Sequence, residues 1–256
     1  MHRFDLSGKC AVVVGGTSGL GQAIAIAFAE AGANVVAASR RKAEVDRTAR
    51  DIEKLGRKTL RLGADVCSRE SLQKLHDDVL SHFGRVDILV NSAGITARRP
   101  TIDFSEEDWC NVLNVNLNGT FRACQIFGKT MLKQKSGAII NVASLATFVA
   151  FRDVAAYSVS KAGVGALTKS LAVEWAQSGI RVNAVAPGVF PTEMNVELIQ
   201  GTDRGKELLM RTPMGRYGTP AEVAGAAIFL ASDAASFVNG EILTVDGGFL
   251  ASGVNT

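Results

Sequence analysis

The sequence has no block of like charge and no long apolar run. Its 28 Lys and Arg against 25 Asp and Glu give a formal net charge of +3, and no five like charges are consecutive. Charge spread in this way is weak evidence for nucleic-acid binding, which needs a basic face or stripe. No 18 apolar residues follow one another, so we expect no transmembrane helix and no membrane partner.

The cysteines and histidines show no spacing typical of a metal site or a redox motif. The histidines His2, His76 and His82 lie on or near predicted polar helix faces, and we interpret them as surface residues. The start, MHRFDLSGK, lacks the apolar segment of a secretion signal. We therefore expect a cytoplasmic protein that binds no metal and keeps reduced, mostly buried thiols. The cysteines are Cys10, Cys67, Cys110 and Cys124.

Short apolar segments alternate with longer amphipathic ones along the chain. Alternating strands and helices predict a parallel sheet covered on both faces, and right-handed crossovers make this a doubly wound α/β fold. The apolar segments lack polar alternation, as in strands buried on both faces. The predicted strands are 10–14, 34–38, 58–64, 86–91, 138–143, 181–186 and 241–246. The predicted helices are 19–31, 42–55, 69–83, 105–134, 155–178 and 219–232.

The chain shows no linker, repeat or low-complexity segment. Its 256 residues therefore predict one domain, 1–256, around a sheet of about seven strands. Segment 187–218 interrupts the alternation with several prolines and glycines. A long irregular segment in a compact domain is typical of a lid or a binding loop, so we expect the substrate to bind there.

A glycine-rich turn joins the first predicted strand to the first helix. Gly15, Gly19 and Gly21 permit a tight turn and a close approach of the backbone to a ligand. The helix N-terminus presents unpaired N–H groups and a partial positive charge, which suit a phosphate. A turn that follows a strand and opens a βαβ unit favours a dinucleotide site. Plain tight packing is the alternative.

The second predicted strand ends in Ser39-Arg40-Arg41. An acid at this point would bond a ribose 2′-hydroxyl, whereas an arginine accommodates a 2′-phosphate. An arginine at a helix start opposes the helix dipole, so helix stability does not explain Arg40. The sequence favours NADP(H), with NAD(H) as the alternative.

Tyr157 and Lys161 lie one helical turn apart, which places both side chains on one face, roughly 5–6 Å apart at Cβ. A nearby cation favours the phenolate and lowers a tyrosine pKa from its usual value of about 10. The pair predicts a tuned proton donor. For these two residues alone, an ordinary amphipathic face is the alternative.

Several motifs in order resemble the short-chain dehydrogenase/reductase family over essentially the whole chain. Two positions depart from the family pattern: Val14 stands where Thr is usual, and Ser92 where a second Asn is usual. Both affect the support of the cofactor site rather than the chemistry. The resembling motifs are Gly15-x-x-x-Gly19-x-Gly21, Asp65-Val66, NSAG at 91–94, NVN at 114–116, Ser144, Tyr157-x-x-x-Lys161 and PGVFPT at 187–192.

The resemblance implies a Rossmann-type domain with a catalytic tetrad. Tyr157 would exchange a proton with the substrate oxygen, and Lys161 would lower its pKa and hold the nicotinamide ribose. Ser144 would donate a hydrogen bond to the developing alkoxide, and Asn116 would hold a water that completes a proton relay. Alone, Ser144 could form a strand-end turn, Asn116 interrupt a helix and Asp65 cap one. The expected cofactor contacts are Gly15, Thr17, Ser18, Gly19, Leu20, Gly21, Ser39, Arg40, Arg41, Asp65, Val66, Asn91, Ala93, Gly94, Tyr157, Lys161, Pro187, Gly188, Val189 and Thr192.

We expect an NADP(H)-dependent oxidoreductase that interconverts a secondary alcohol and a ketone. Arg98, after the fourth predicted strand, and Arg152, between Ser144 and Tyr157, suggest an anionic or polyhydroxylated small-molecule substrate, because guanidinium pairs bidentately with carboxylate. Contact with solvent, a neighbouring subunit or the cofactor phosphate is the alternative. The pattern most resembles the gluconate 5-dehydrogenase and 2-deoxygluconate 3-dehydrogenase members, which predicts a sugar acid or polyol.

A nucleotide sensor and a 3-oxoacyl thioester reductase are two other functions that this fold can serve. A nucleotide sensor could lose Tyr157 or Lys161, and both are present. A 3-oxoacyl-[acyl-carrier-protein] reductase shares every motif and stays open. The resemblance also implies a homotetramer, and segment 155–178, apolar on more than one face, agrees with burial against a partner.

Overall fold

The computed structural model describes residues 3–192 and 195–253. Among these residues, six parallel strands form one sheet in the order β2-β1-β3-β4-β5-β6. The predicted doubly wound α/β fold is confirmed. The strands are β1 (Cys10–Val14), β2 (Asn34–Ala38), β3 (Ile88–Asn91), β4 (Gly137–Val142), β5 (Ile180–Pro187) and β6 (Ile242–Val245).

Helices cover both faces of the sheet. Helices α1, α2 and α9 contribute side chains to the core on one face, and α3, α5 and α6 contribute to the core on the other. Successive residues of β1 alternate between the two cores because side chains alternate along a strand. The helices are α1 (Gly19–Glu30), α2 (Lys42–Lys54), α3 (Arg69–Phe83), α4 (Glu106–Leu113), α5 (Gly119–Gln134), α6 (Ala155–Trp175), α7 (Val196–Ile199), α8 (Asp203–Met210) and α9 (Pro220–Ala231).

The prediction of a seventh strand at 58–64 is wrong. The segment follows β2 only loosely: Val35 N–H donates to Lys58 O at 3.1 Å, and Ala64 N–H donates to Ser39 O at 3.0 Å. Between these two bonds Arg61 turns towards α2, where it donates to both oxygens of Glu53 at 2.7 Å. The segment stays extended without forming a ladder.

His76 is buried, so its interpretation as a surface residue is wrong. Helix α5 packs over α3, and the imidazole Nε2 lies 2.7 Å from the Thr130 hydroxyl. Its Nδ1 lies 2.8 Å from a carboxylate oxygen of Asp77. His82 is exposed, and His2 lies outside the described residues. None of the described helices has the length and apolar character needed to span a bilayer.

A chain of buried polar side chains connects β3, β4 and α6. Asn91 and Asn141 are partners in the parallel register, and Asn91 Nδ2 donates to Asn141 Oδ1 at 2.9 Å. Asn141 Nδ2 in turn donates to Thr168 Oγ1 at 2.9 Å, and that hydroxyl donates to Val164 O at 2.8 Å. Because buried polar groups need partners, this chain fixes where α6 lies along the sheet.

Replacing Thr168 with Val keeps the shape of the side chain but removes the acceptor of Asn141 Nδ2. We expect Thr168→Val to lower the free energy of unfolding by about 1–3 kcal/mol, the cost of leaving a buried donor unpaired. Denaturant unfolding measures this change. The exposed Thr101 provides the control, since Thr101→Val removes a hydroxyl that solvent already hydrates. Equal effects of the two substitutions would contradict the role assigned to the buried chain.

Candidate active site

A cleft of about 530 Å³ opens at the carboxyl ends of β1, β3, β4 and β5. The strand order reverses between β1 and β3, which is where open α/β sheets bind ligands. The cleft brings together most of the residues expected from the sequence. They are Gly15, Ser18, Gly19, Leu20, Gly21, Ser39, Arg40, Arg41, Asp65, Val66, Ala93, Gly94, Ser144, Tyr157, Lys161, Pro187, Gly188 and Thr192.

Other expected residues do not line the cleft. Thr17 is buried and donates its hydroxyl to Ser39 Oγ at 2.7 Å, so it supports the turn from behind. Asn91 is buried in β3. Val189 accepts a backbone hydrogen bond from Gly218. The remaining three, Asn116, Arg98 and Arg152, are described below.

The cleft also contains residues that sequence reasoning missed. Most are apolar and carry no chemistry that a motif would reveal. Ser92, Val115 and Phe190 lie inside the resembling motifs, and Val14 and Ile95 are adjacent to motif glycines. They are Val14, Ala64, Ser92, Ile95, Val115, Val142, Ala143, Phe190 and Asn195.

The glycine turn is held against β3 by close backbone packing. Gly15 has φ +79°, and a Cβ there would lie 2.4 Å from Ala93 N, so only glycine fits. A Cβ on Gly21 would lie 2.8 Å from Ser92 Oγ. Ser92 N–H donates to Val14 O at 2.8 Å. The two positions that depart from the family pattern are therefore joined through the backbone rather than through side chains.

The turn and its surroundings fit a dinucleotide. Ser18 is the N-cap of α1 but its side chain makes no capping bond, so its hydroxyl is available beside the helix N-terminus. Ser39 and Arg40 line one part of the cleft, and Tyr157 and Lys161 line another. Asp65 accepts from Cys67 N–H at 2.9 Å, whereas Ser68 caps α3. Asp65 is thus a wall of the cleft and not a helix cap.

Helix α6 places Tyr157 and Lys161 beside the end of β4. The ammonium Nζ of Lys161 donates to Val142 O at 2.6 Å and lies 5.7 Å from the centre of the Tyr157 ring. Ser144 follows the end of β4, where its hydroxyl accepts from Ala146 N–H at 3.1 Å and caps a short 3₁₀ turn. The three side chains share one end of the cleft.

Asn116 lies in a π-helical turn, Asn114–Asn118, that joins α4 to α5 within the predicted helix 105–134. Its Oδ1 accepts from Ile95 N–H at 2.8 Å, and its Nδ2 donates to Ile95 O at 2.9 Å. Nδ2 also donates to Ser160 Oγ at 3.0 Å. The amide therefore fastens the 95–100 loop to α6, and the structure brings neither Asn116 nor Ser160 to the cleft surface. Single π turns are frequent at functional sites.

Burial dominates the protonation of the Tyr157–Lys161 pair. It lowers the pKa of Lys161 from 10.5 to about 8. It also raises the pKa of Tyr157, and the hydrogen bond with Ser144 offsets part of that rise. The lowering of the Tyr157 pKa by the charge of Lys161 stays a prediction, because burial is the larger influence on the Tyr157 pKa in this structure. Tyr157 is a neutral phenol at neutral pH, poised to donate a proton.

The two arginines expected to contact the substrate differ in position. Arg98 Nη2 lies 3.5 Å from Asp153 Oδ2. Arg152 has a side chain that is 89% exposed, with Nε 3.9 Å from Asp153 Oδ1. Segment 187–218 contains α7 and α8, and its residues 193–194 lie outside the described residues. Phe190, Thr192 and Asn195 bring its first part to the cleft.

Comparison with known proteins agrees with this geometry. A family model described as enoyl-(acyl carrier protein) reductase matches residues 14–250. The 2-dehydro-3-deoxy-D-gluconate 5-dehydrogenase of Dickeya dadantii is 41% identical, covering 98% of this chain and 99% of that protein. A 3-oxoacyl-[acyl-carrier-protein] reductase of Thermotoga maritima is 39% identical, with 96% and 99% covered. The crystal structure of a gluconate 5-dehydrogenase from Burkholderia cenocepacia, in complex with NADP and tartrate, has a TM-score of 0.94 at 38% identity and covers 98% of each chain.

A parallel sheet whose switch point carries a glycine turn facing a Ser, Tyr and Lys group defines an NAD(P)-dependent oxidoreductase. This class acts on CH–OH groups and their ketones. The chain belongs to the short-chain dehydrogenase/reductase family.

Burial of the Lys161 ammonium lowers the free energy of unfolding of the protein. Below pH 8 both the folded and the unfolded chain hold this proton, and the cost is present in full. Between pH 8 and 10.5 the unfolded chain binds more protons, so this contribution to stability improves as the pH rises. We expect Lys161→Met to raise the free energy of unfolding at pH 7 by up to about 3 kcal/mol, reduced by loss of the bond to Val142 O.

Denaturant unfolding at pH 7 and pH 10 checks this prediction. The advantage of Lys161→Met over the wild type should shrink at the higher pH. A variant less stable than the wild type at both pH values would show that the buried ammonium contributes favourably to folding. Lys42→Met, at a side chain that is 82% exposed, is the control and should change little at either pH.

Proposed function

We propose that the protein is an NADP(H)-dependent oxidoreductase that interconverts a secondary alcohol and a ketone on a sugar acid. The observation that carries this proposal is the shared cleft: Ser144, Tyr157 and Lys161 line one part of it, and Ser39 and Arg40 another. Oxidoreductases named for deoxygluconate and gluconate among its relatives support the substrate class.

Tyr157 is the group that donates a proton to the ketone oxygen, because its phenol is neutral and lies beside the cleft. Ser144 donates a hydrogen bond to the same oxygen as negative charge develops on it. The cofactor, when bound, supplies or accepts the hydride. In the reverse direction Tyr157 takes the proton from the alcohol, and the ammonium of Lys161 stabilises the phenolate that makes this possible.

Lys161 also holds the nicotinamide ribose in this proposal. Its ammonium has three N–H donors, and one of them donates to Val142 O. Two donors therefore remain for the ribose and for a water beside Asn116. The water relay stays a proposal for Asn116, since its side-chain amide is bonded to Ile95 and Ser160.

NADP(H) rather than NAD(H) is proposed from the end of β2. Ser39 and Arg40 stand where an acidic residue would select the 2′-hydroxyl of NAD(H). Both line the cleft, and Thr17 holds the Ser39 hydroxyl at 2.7 Å. A gluconate 5-dehydrogenase of the same fold was crystallised with NADP, which supports this choice.

A 3-oxoacyl thioester reductase is the second candidate. Large apolar side chains next to α6 and α8 are exposed, as a surface that contacts an acyl chain would require. A relative of this activity covers nearly the whole chain. The exposed side chains are Phe148 and Val149 before α6, Met210 at the end of α8 and Met214 after it.

The assembly proposed is a homotetramer of single-domain chains, 1–256, in the cytoplasm. Apolar side chains of α5 and α6 are exposed: Phe121 at 44%, Val159 at 48% and Val173 at 82%. Exposed apolar surface on neighbouring helices supports burial against another copy. The proposed occupant of the remaining site is a small-molecule substrate, with no nucleic acid, no membrane and no metal involved.

Replacing Tyr157 with Phe removes the proton donor and little else. We expect Tyr157→Phe to lose at least about 10²- to 10³-fold in kcat with a keto sugar acid and NADPH. Binding of NADPH, followed by fluorescence titration, should be retained and serves as the control for folding. A variant that turns over at the wild-type rate would remove Tyr157 from its proposed role.

The double substitution Ser39→Asp with Arg40→Ala tests the cofactor preference. An acid at 39 accepts from a ribose 2′-hydroxyl and repels a 2′-phosphate, so the ratio of kcat/KM for NADPH over NADH should fall below one. Arg47→Ala, which removes a charge from α2 away from the cleft, is the control. A wild type that already prefers NADH would contradict the assignment of Ser39 and Arg40.

A further inference from the structure

One end of the cleft lies beside Ser39 and Arg40, and it is called the adenosine end because the 2′-phosphate of NADP(H) is carried by the adenosine ribose. Val66 belongs to this end. It lines the cleft, and two residues before it Ala64 N–H donates to Ser39 O at 3.0 Å. Val66 is 9% exposed, so a small part of its side chain forms an apolar wall there.

The π-helical turn Asn114–Asn118 supplies a second apolar wall beside the first. Val115 lines the cleft and is 8% exposed. Gly119, four residues later, packs against Val66 so closely that a Cβ at 119 would lie 2.8 Å from Val66 Cβ. Because residues four apart are neighbours on a helix surface, the π turn brings Val115 and Val66 side by side. Their separation depends on how this turn is held against Val66.

Arg122, near the start of α5, joins the two walls. Its Nη1 donates to Val66 O at 3.1 Å, and its Nη2 donates to Asn114 Oδ1 at 2.8 Å. Nη1 also lies 3.5 Å from Asn114 O. One guanidinium therefore holds the backbone of Val66 and the residue before Val115 at the same time.

The contacts of Arg122 indicate support of the walls rather than binding of a phosphate. Its acceptors are two backbone carbonyls and one side-chain amide. A planar guanidinium presents its donors in a rigid fork, which serves two acceptors at a fixed separation, whereas a lysine ammonium is a single charged group on a flexible stem. Among the described residues that line the cleft are Arg40 and Arg41 but not Arg122.

We propose that Arg122 is a positioning residue for the cofactor: it fixes the separation of Val66 and Val115, and the slot between these side chains receives the adenine ring. This inference rests on the proposed function, in which the cleft binds NADP(H). An apolar slot suits the faces of a flat aromatic base. Arg122 lies outside the motifs that identify the family. Affinity for the adenine, and not for the 2′-phosphate, depends on it.

Binding of the two halves of the cofactor tests this role without turnover. Arg122→Met keeps an unbranched side chain and removes its donors. We expect it to weaken binding of 2′,5′-ADP, measured by calorimetry, about 5- to 50-fold, the range for losing one or two hydrogen bonds. Binding of NMNH, the nicotinamide half, followed by its fluorescence, should stay within about twofold. Equal weakening of both halves would show that Arg122 only supports the fold.

A second comparison separates the adenine from the phosphate. 5′-AMP contains the adenosine of 2′,5′-ADP without its 2′-phosphate. Arg122→Met should weaken both nucleotides by the same factor, whereas Arg40→Ala should weaken 2′,5′-ADP and leave 5′-AMP within about twofold. A larger effect of Arg122→Met on 2′,5′-ADP than on 5′-AMP would assign Arg122 to the phosphate and overturn the inference.

Two further variants serve as controls. Arg69 is exposed and joins α3 to α5 by a bond from its Nη2 to Gln125 Oε1, so Arg69→Met removes a similar bridge outside the cleft and should leave every affinity unchanged. Arg122→Lys keeps the charge and loses the fork, and it should bind 5′-AMP at least about threefold more weakly than the wild type. Wild-type affinity in the lysine variant would show that the charge alone suffices and would contradict the bridging role.

These measurements separate the role of Arg122 from the proposed function. If Arg122→Met weakens both adenine nucleotides and spares NMNH, the slot stands even where no sugar acid is oxidised. If the wild type and Arg122→Met bind 5′-AMP equally, the inference fails even where the oxidoreductase activity is found.

Discussion

The site depends on one buried ammonium that has no carboxylate beside it among the described residues. Lys161 is 5% exposed, and the acceptor that the structure gives its Nζ is the backbone oxygen of Val142. A charge in such a place is costly, which is why its pKa falls to about 8. The folded state is destabilised by this buried charge at the position one helical turn from Tyr157, where a cation stabilises the phenolate.

Keeping that ammonium in place requires α6 to be fixed against the sheet in two places. Near its start, Ser160 accepts from Asn116 Nδ2, and Asn116 also holds Ile95. Two turns further on, Thr168 is joined to Asn141. The two attachments lie on either side of Lys161. A shift of α6 along its axis would break both attachments. The packing of α6 therefore fixes the relative positions of Tyr157 and Lys161.

Much of this organisation could be predicted from the sequence because its signals are local. Strand-helix alternation, the glycine turn and the spacing of Tyr157 and Lys161 are each read from adjacent residues. The predictions that were wrong concern residues whose structure is set by contacts with residues distant in sequence. Segment 58–64 has the composition of a strand, but Arg61 turns to Glu53 on α2. His76 lies on a helix face whose sequence is polar, but α5 packs over that face and buries the imidazole.

The contacts of Asn116 could not be predicted from the sequence either. Asn116 meets residues 21 and 44 positions away, and no spacing rule indicates those partners. Motifs locate the chemistry of such a cleft, whereas contacts between distant loops and helices are set by the fold.

The central claim is that this cleft moves a hydride between a nicotinamide and a carbon of a sugar acid. Reduction of 5-keto-D-gluconate with NADPH that carries deuterium at the transferable position tests it most directly. We expect one deuterium in the product, on the carbon that bears the new hydroxyl, as observed by mass spectrometry and NMR. A product without deuterium, or no product from any keto sugar acid, would contradict the account.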